Sequence, residues 1–193
     1  MLNSYAWKAR GGGYSNTVSR EAWKLFSVRL KEAYKLLEES KDSSNPMWYS
    51  AQQKLATGLS MPKARYYNLV REATSFHPGF DEIYISATWY LLPRWFGGKG
   101  EWQSYRDEVV ANIIDDFRKD EIYFLMSRNA LRYEGLQRFK EQDVDWQKFQ
   151  NGCEFRDVHF PSKFSQVNLC LMACIAKDQK SAKRFFLREP ESK

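Results

Sequence analysis

Residues 19–37 read SREAWKLFSVRLKEAYKLL, and their periodicity decides the fold. Trp23, Phe26, Leu30, Ala33 and Leu37 recur at steps of three and four, which places them on one stripe of an α-helix. Ser19 stands where a hydroxyl can cap the first turn, and Glu21 puts negative charge at the positive end of the helix dipole. The polar run Lys41-Asp42-Ser43-Ser44 ends the helix. Asn45-Pro46 opens another, with Asn as N-cap and Pro at the first helical position, and Gly58 stops it.

The same grammar extends along the chain. A helix starting near Pro62 sets Tyr66, Leu69, Val70 and Ala73 on one face, and Phe76-His77-Pro78-Gly79 breaks it. The segment from Asp81 to Leu92 is apolar on most sides, which suits a central position. Pro93 and Gly97-Gly98-Lys99-Gly100 then form the longest breaker cluster. From Glu101 a helix reads through Tyr105, Val109, Ile113 and Phe117. Asp120 is read as the cap of a further helix bearing Ile122, Leu125, Met126 and Leu131, and a weaker segment surrounds Trp146 and Phe149. The turn between Lys163–Ala176 and Ser181–Arg188 is so short that the two must form an antiparallel hairpin. No stretch alternates with period two over more than about five residues, so no sheet is expected. The reading is an all-α single domain over 1–193, with about eight or nine helices packed as antiparallel pairs in a tetratricopeptide-like repeat or bundle. An irregular segment over 1–16, around Gly11-Gly12-Gly13, and a disordered tail over 189–193 complete it.

Composition narrows the function classes. Apolar residues make up 43% of the 193, enough for a sizeable core, and aromatics reach 16%, which suits broad helix faces. The net charge is +6, unevenly placed: residues 101–158 carry thirteen acids against nine bases, so the remainder totals +10. No Lys/Arg run exceeds two, and most bases alternate with acids at helical spacing, as on solvated faces. Cys170 and Cys174 lie four apart in an apolar run, as buried thiols would, and Cys153 six before His159 matches no zinc spacing. No metal and no cofactor are expected. The N-terminus lacks the apolar core of a signal peptide, no apolar stretch approaches the roughly 20 residues that span a bilayer, and reduced thiols suit a cytoplasmic protein.

Catalytic constellations are missing from the pattern. Gly97-Gly98-Lys99-Gly100 is followed by Glu101 and preceded by a helix, unlike a Walker loop, and reads as a helix breaker. His77 and His159 both stand beside hinge prolines and read as exposed or capping groups. The pairs Asp115-Asp116 and Glu38-Glu39 diverge by about 100° on a helix, so neither can share a reaction centre. The chain is therefore read as a non-enzyme. Trp89 and Tyr90 are read as core. Trp95 and Trp102, flanking the glycine cluster with Arg94 and Lys99, are the candidate anchors for a protein partner, since Trp, Tyr and Arg dominate binding hot spots. Trp7, Arg10 and Tyr14 form a second candidate set, although Arg10 equally suits a role pinning the glycine turn.

Phe76-His77-Pro78 and His159-Phe160-Pro161 each separate two helices. Phe160-Pro161-Ser162, followed by Asn168, Ala173, Asp178, Ala182 and Phe185, resembles a degenerate tetratricopeptide-like hairpin. More widely, Trp7, Ala9-Arg10-Gly11, Tyr14, Thr17-Val18, Trp23 and Phe26, then Leu92-Pro93-Arg94-Trp95 and Gly97-Gly98, resemble a family of uncharacterised, largely bacterial helical proteins classed as a domain of unknown function. Phe96 departs from that pattern. The resemblance implies a helical fold and no established activity. The function expected is a protein–protein interaction module without catalysis, of the kind that serves as a bacterial adaptor or toxin-immunity protein. The alternative is nucleic-acid binding through basic helical faces, +4 over residues 1–41 and +3 over 177–193.

Overall fold

The computed structural model describes residues 2–12, 15–160 and 163–187, with side chains for 4–12, 15–160 and 167–187. Among them the regular elements are ten α-helices and two short 3-10 turns, without a strand. The all-helical expectation holds, with more helices than the eight or nine read from the pattern. The chain packs as two compact units, Met1–Tyr90 and Leu91–Lys193.

The first unit comprises α1 (Leu2–Arg10), α2 (Arg20–Glu39), α3 (Pro46–Gly58), α4 (Lys63–Phe76) and α5 (Asp81–Tyr90). Helix α1 corrects the irregular opening segment. Ala6 is fully buried in a cluster with Phe26, Leu30, Ala33 and Leu55, against which Trp7 packs. Gly11, at φ +77°, ends α1 in the left-handed conformation and donates its N–H to Trp7 O at 3.1 Å. The glycines that made this segment look loose therefore supply its C-cap. The caps of α2 and α3 follow the sequence: Ser19 Oγ accepts from the Ala22 amide at 3.1 Å and Asn45 Oδ1 from Met47 at 3.0 Å. Phe26, Leu30 and Ala33 are buried as read, Leu37 is half-buried, and Trp23 stays at the rim.

Helix α3 packs against α2, α4 and α5, and it buries polar groups as well as apolar ones. Gln53 Nε2 donates to Ile83 O at 3.0 Å, and Tyr66 donates to Ser86 O at 3.1 Å. The rings of Tyr66 and Tyr90 stack at 3.7 Å, and Tyr90 donates to Met61 O at 2.6 Å. Gln53, Tyr66 and Tyr90 thus each spend a donor on a backbone carbonyl of a neighbouring element. Helix α5 is buried on most sides, as its apolar sequence demanded.

The second unit holds α6 (Glu101–Ala111), α7 (Asp116–Glu134), α8 (Trp146–His159), α9 (Lys163–Ala176) and α10 (Gln179–Phe186). The helix read from Glu101 through Phe117 ends at Ala111. The next is capped by Asp115, whose Oδ1 accepts from the Arg118 amide at 2.8 Å, and Asp120 lies inside it. Phe117 is exposed and Ile113 only half-buried, so their spacing does not mark a buried stripe. Helix α7 is buried over seven consecutive residues, Glu121–Ser127. Helix α8 is firmer than its sequence suggested, capped by Asp145 on the Lys148 amide at 3.0 Å. It approaches α7 so closely that a Cβ on Gly152 would lie 1.9 Å from Asp120 O. Asp178 caps α10 and also accepts from Trp146 Nε1 at 2.9 Å, tying α8 to the α9–α10 pair. The tail read as disordered over 189–193 lies outside the described residues, as does Pro161 of the second hinge.

Because Gly152 has no room for a side chain, Gly152→Ala is expected to destabilise the fold by about 1–3 kcal/mol through overpacking. Gly12→Ala, which meets no described atom within 4 Å, should stay within about 0.5 kcal/mol of the parent. Chemical denaturation of the two variants checks the contrast.

Candidate functional site

The loop after Leu92 was the first candidate, and most of it is explained by turn geometry. Trp95 and Gly97 both donate their amides to Leu92 O, at 2.9 and 3.2 Å. A Cβ on Gly97 would fall 1.6 Å from Leu91 O, so only glycine permits this close return. Gly98 donates to Glu101 Oε2 at 2.6 Å, which ties the loop to the first residue of α6. Arg94 and Lys99 are exposed, with the Arg94 guanidinium 5.9 Å above the Tyr133 ring. Trp95 is half-buried. Trp102, by contrast, is 1% exposed and belongs to the core, so it is not a contact residue. It points inward because it shares a face of α6 with Arg106, one turn later.

Trp7 and Arg10 come together on α1, and Tyr14 lies outside the described residues. The Arg10 guanidinium sits 5.6 Å from the Trp7 ring and 5.0 Å from that of Trp23, and its Nη1 donates to Gly11 O at 3.2 Å. Arg29 lies 3.5 Å over Tyr5 and donates to the Tyr5 hydroxyl at 2.8 Å. Two cation–aromatic contacts therefore fasten α1 to α2, and the turn-pinning role of Arg10 is part of that arrangement.

The second unit contains a buried polar centre that sequence reasoning missed. Arg106 is 2% exposed. Its guanidinium lies 4.2 Å from the Tyr123 ring and 5.3 Å from that of Trp102. It donates to Asp107 Oδ1 at 2.8 Å, to Ser127 Oγ at 3.3 Å and to Asp143 O at 3.1 Å. Tyr123 in turn accepts from the Asp145 amide at 2.7 Å, and burial pushes its phenol above the ordinary value. A few residues away, buried Glu121 is held by Arg118 at 2.6 Å and Arg156 at 2.8 Å. Arg106 and Glu121 each meet a counter-charge, and the Arg156–Glu121 pair ties α8 to α7. Nothing in the run Arg106-Asp107-Glu108 distinguishes it from a solvated face; the only available signal was its i+4 spacing from Trp102.

Cys153, the two histidines and the two adjacent carboxylate pairs are engaged in the fold. Burial, with Asp157 adding to it, pushes the Cys153 thiol up to about 12, so it stays protonated at neutral pH. His77 Nε2 lies 2.8 Å from Ser43 O, and His159 Nδ1 lies 2.8 Å from Phe155 O. Asp115 caps α7 while Asp116 pairs with Lys119; Glu38 accepts from Gln52 while Glu39 pairs with Lys35. Among the described residues no group of three or more His, Cys, Asp or Glu converges as metal ligands, and no helix is long and apolar enough to cross a membrane.

One surface stands out. Helix α9 has no charged residue from 164 to 176. Leu169, Met172 and Ala173 face inward, and Ala173 with Phe185 of α10 closes the hairpin interior. On the opposite side Val167, Leu171 and Cys174 are exposed, at positions i, i+4 and i+7. No family model, curated protein or solved structure matches the chain.

Removing Arg106 strips donors from Ser127 and Asp143 and leaves a hole between two rings, so Arg106→Ala should cost about 2–3 kcal/mol in denaturation. Asp107 is half in water, and Asp107→Asn should cost less than about 1 kcal/mol. Asp178 gives a pH prediction. Hydrogen bonds from Ser181 and from Trp146 hold its carboxyl down at about 2. Its folded value lies below the unfolded one of about 4, so the stability it contributes is present above pH 4 and lost as pH falls towards 2. Thermal midpoints across that window should decline less steeply for Asp178→Asn than for the parent.

Proposed function

We propose that the protein is a binding module for another protein, without catalysis of its own, and that the outward face of α9 is its docking surface. The observation that carries this reading is the exposed row Val167, Leu171 and Cys174 on a helix that carries no charge from 164 to 176. Val167 is 69% exposed and Leu171 46%. Helices of that composition are ordinarily covered on every side. Single exposed apolar residues are unremarkable, but a row at helical spacing is a continuous strip that fits the apolar face of a partner's helix. Phe186 and Leu187, at the C-terminal end of α10 in the same hairpin, are exposed as well and enlarge the apolar area of this unit.

Arg94, Lys99 and Tyr133 support a second, polar-aromatic contact of the type that hot spots use. An adaptor or toxin-immunity role is the narrower form of the proposal; class analogy and the resemblance to uncharacterised helical proteins support it.

The test compares the parent with Leu171→Glu in capture from native extract of the source cells. The expected result is an unchanged helical circular-dichroism spectrum and a loss of at least about tenfold in the specifically retained protein, the cost of placing a carboxylate in an apolar contact. Equal retention by both proteins, or no specific retention by the parent at micromolar concentration, would overturn the reading.

A further inference from the structure

The first unit carries a different kind of surface. Residues 1–31 hold six bases, Lys8, Arg10, Arg20, Lys24, Arg29 and Lys31, against the single acid Glu21. On α2, Arg20, Lys24 and Lys31 stand at i, i+4 and i+11, which puts them on one stripe, and Lys35 continues it. All four are exposed. Lys35 pairs with Glu39 at 3.8 Å, whereas Arg20, Lys24 and Lys31 have no ion-pair partner among the described residues. Elsewhere bases are paired: Lys41 and Lys54 of the first unit and Arg106, Arg118, Arg138, Arg156 and Arg184 of the second each reach a carboxylate.

Aromatic rings flank this stripe. Trp23, one position before Lys24, is 36% exposed and carries the Arg10 guanidinium over its ring. Tyr34, three positions after Lys31, lies beneath Arg65 of α4 at 5.6 Å. Along α2 Trp23 stands between Arg20 and Lys24, and Tyr34 between Lys31 and Lys35, and the four basic positions span about 22 Å at 1.5 Å per residue. Lysines alone would serve any polyanion. Rings set between them suit a ligand whose charges alternate with flat bases, and single-stranded nucleic acid is the polymer built that way.

We propose that this side of α1 and α2 is a second binding surface, which takes single-stranded nucleic acid without base-specific readout. It lies on a different unit from the α9 row and does not depend on the protein-binding reading. Four phosphates neutralised on a single strand give a slope of about −2.8 in log affinity against log salt, a fall of about fifty-fold between 50 and 200 mM.

The experiment is fluorescence anisotropy of a labelled twenty-nucleotide deoxythymidine strand, titrated with the full chain at several salt concentrations. The parent should show the fifty-fold fall. Lys24→Gln/Lys31→Gln changes only exposed side chains; with two phosphates left it should bind more weakly at low salt and lose only about sevenfold over the same range. Lys180→Gln/Lys183→Gln, in the second unit, should match the parent. No binding at 50 mM salt, an unchanged slope in the α2 variant, or equal affinity for a polyglutamate peptide or for anionic lipid vesicles would overturn the proposal.

Discussion

Seven consecutive buried residues in the middle of α7 set the terms for the second unit. A helix enclosed on every side must find partners for each polar group it carries into the interior. Glu121 is enclosed by Arg118 and Arg156, and Ser127 Oγ accepts a hydrogen bond from Arg106. Arg106 then requires its own setting, which Tyr123, Trp102 and the Asp143 carbonyl provide. The backbone contact at Gly152 brings α8 close enough for Arg156 to reach Glu121. Packing distance and charge balance are therefore one problem in this unit, since a looser crossing would leave a buried carboxylate half-satisfied.

The first unit solves a milder version of the same problem. Its buried polar groups are neutral, and Gln53, Tyr66 and Tyr90 are matched to backbone carbonyls of α5 and of the turn before α4. That scheme leaves the charged side chains of α1 and α2 outside, where Arg10 and Arg29 lie over aromatic rings and several lysines face solvent.

Helix identity and most boundaries were legible because caps and breakers are local. Ser19 and Asn45 act as their residue types demand, and Gly58 is the last residue of α3, with the left-handed turn position falling on Ser60. The gap between α6 and α7 was not legible: Val109, Ile113 and Phe117 keep a helical spacing across it, and the interruption contains neither Gly nor Pro. Asn112 and Asp115, both residues that favour helix ends, were the available signal. The opening helix was hidden for the opposite reason, since three glycines outweighed the short apolar side of Leu2–Arg10. At the candidate site, the sequence placed Arg94 and Lys99 correctly at the surface but could not show that Trp102 turns inward. The α9 row escaped notice because an apolar run reads as core whichever way it faces; only the packed structure separates Leu169, Met172 and Ala173 from Val167, Leu171 and Cys174.

Two helices thus carry the contrast that matters. Helix α7 is rich in polar residues and enclosed, whereas α9 lacks charge over thirteen residues and presents one side to solvent. An uncovered apolar row is what a partner would cover, and Cys174 lies within it. Its alkylation rate by a maleimide, read by mass spectrometry of the cysteine peptides, is the most direct measure; buried Cys153 serves as the internal reference. The account predicts rapid labelling of Cys174 in the purified protein and labelling at least about tenfold slower in native extract, where a partner of micromolar affinity is bound. Slow labelling in the purified protein, or equal rates in both, would contradict it.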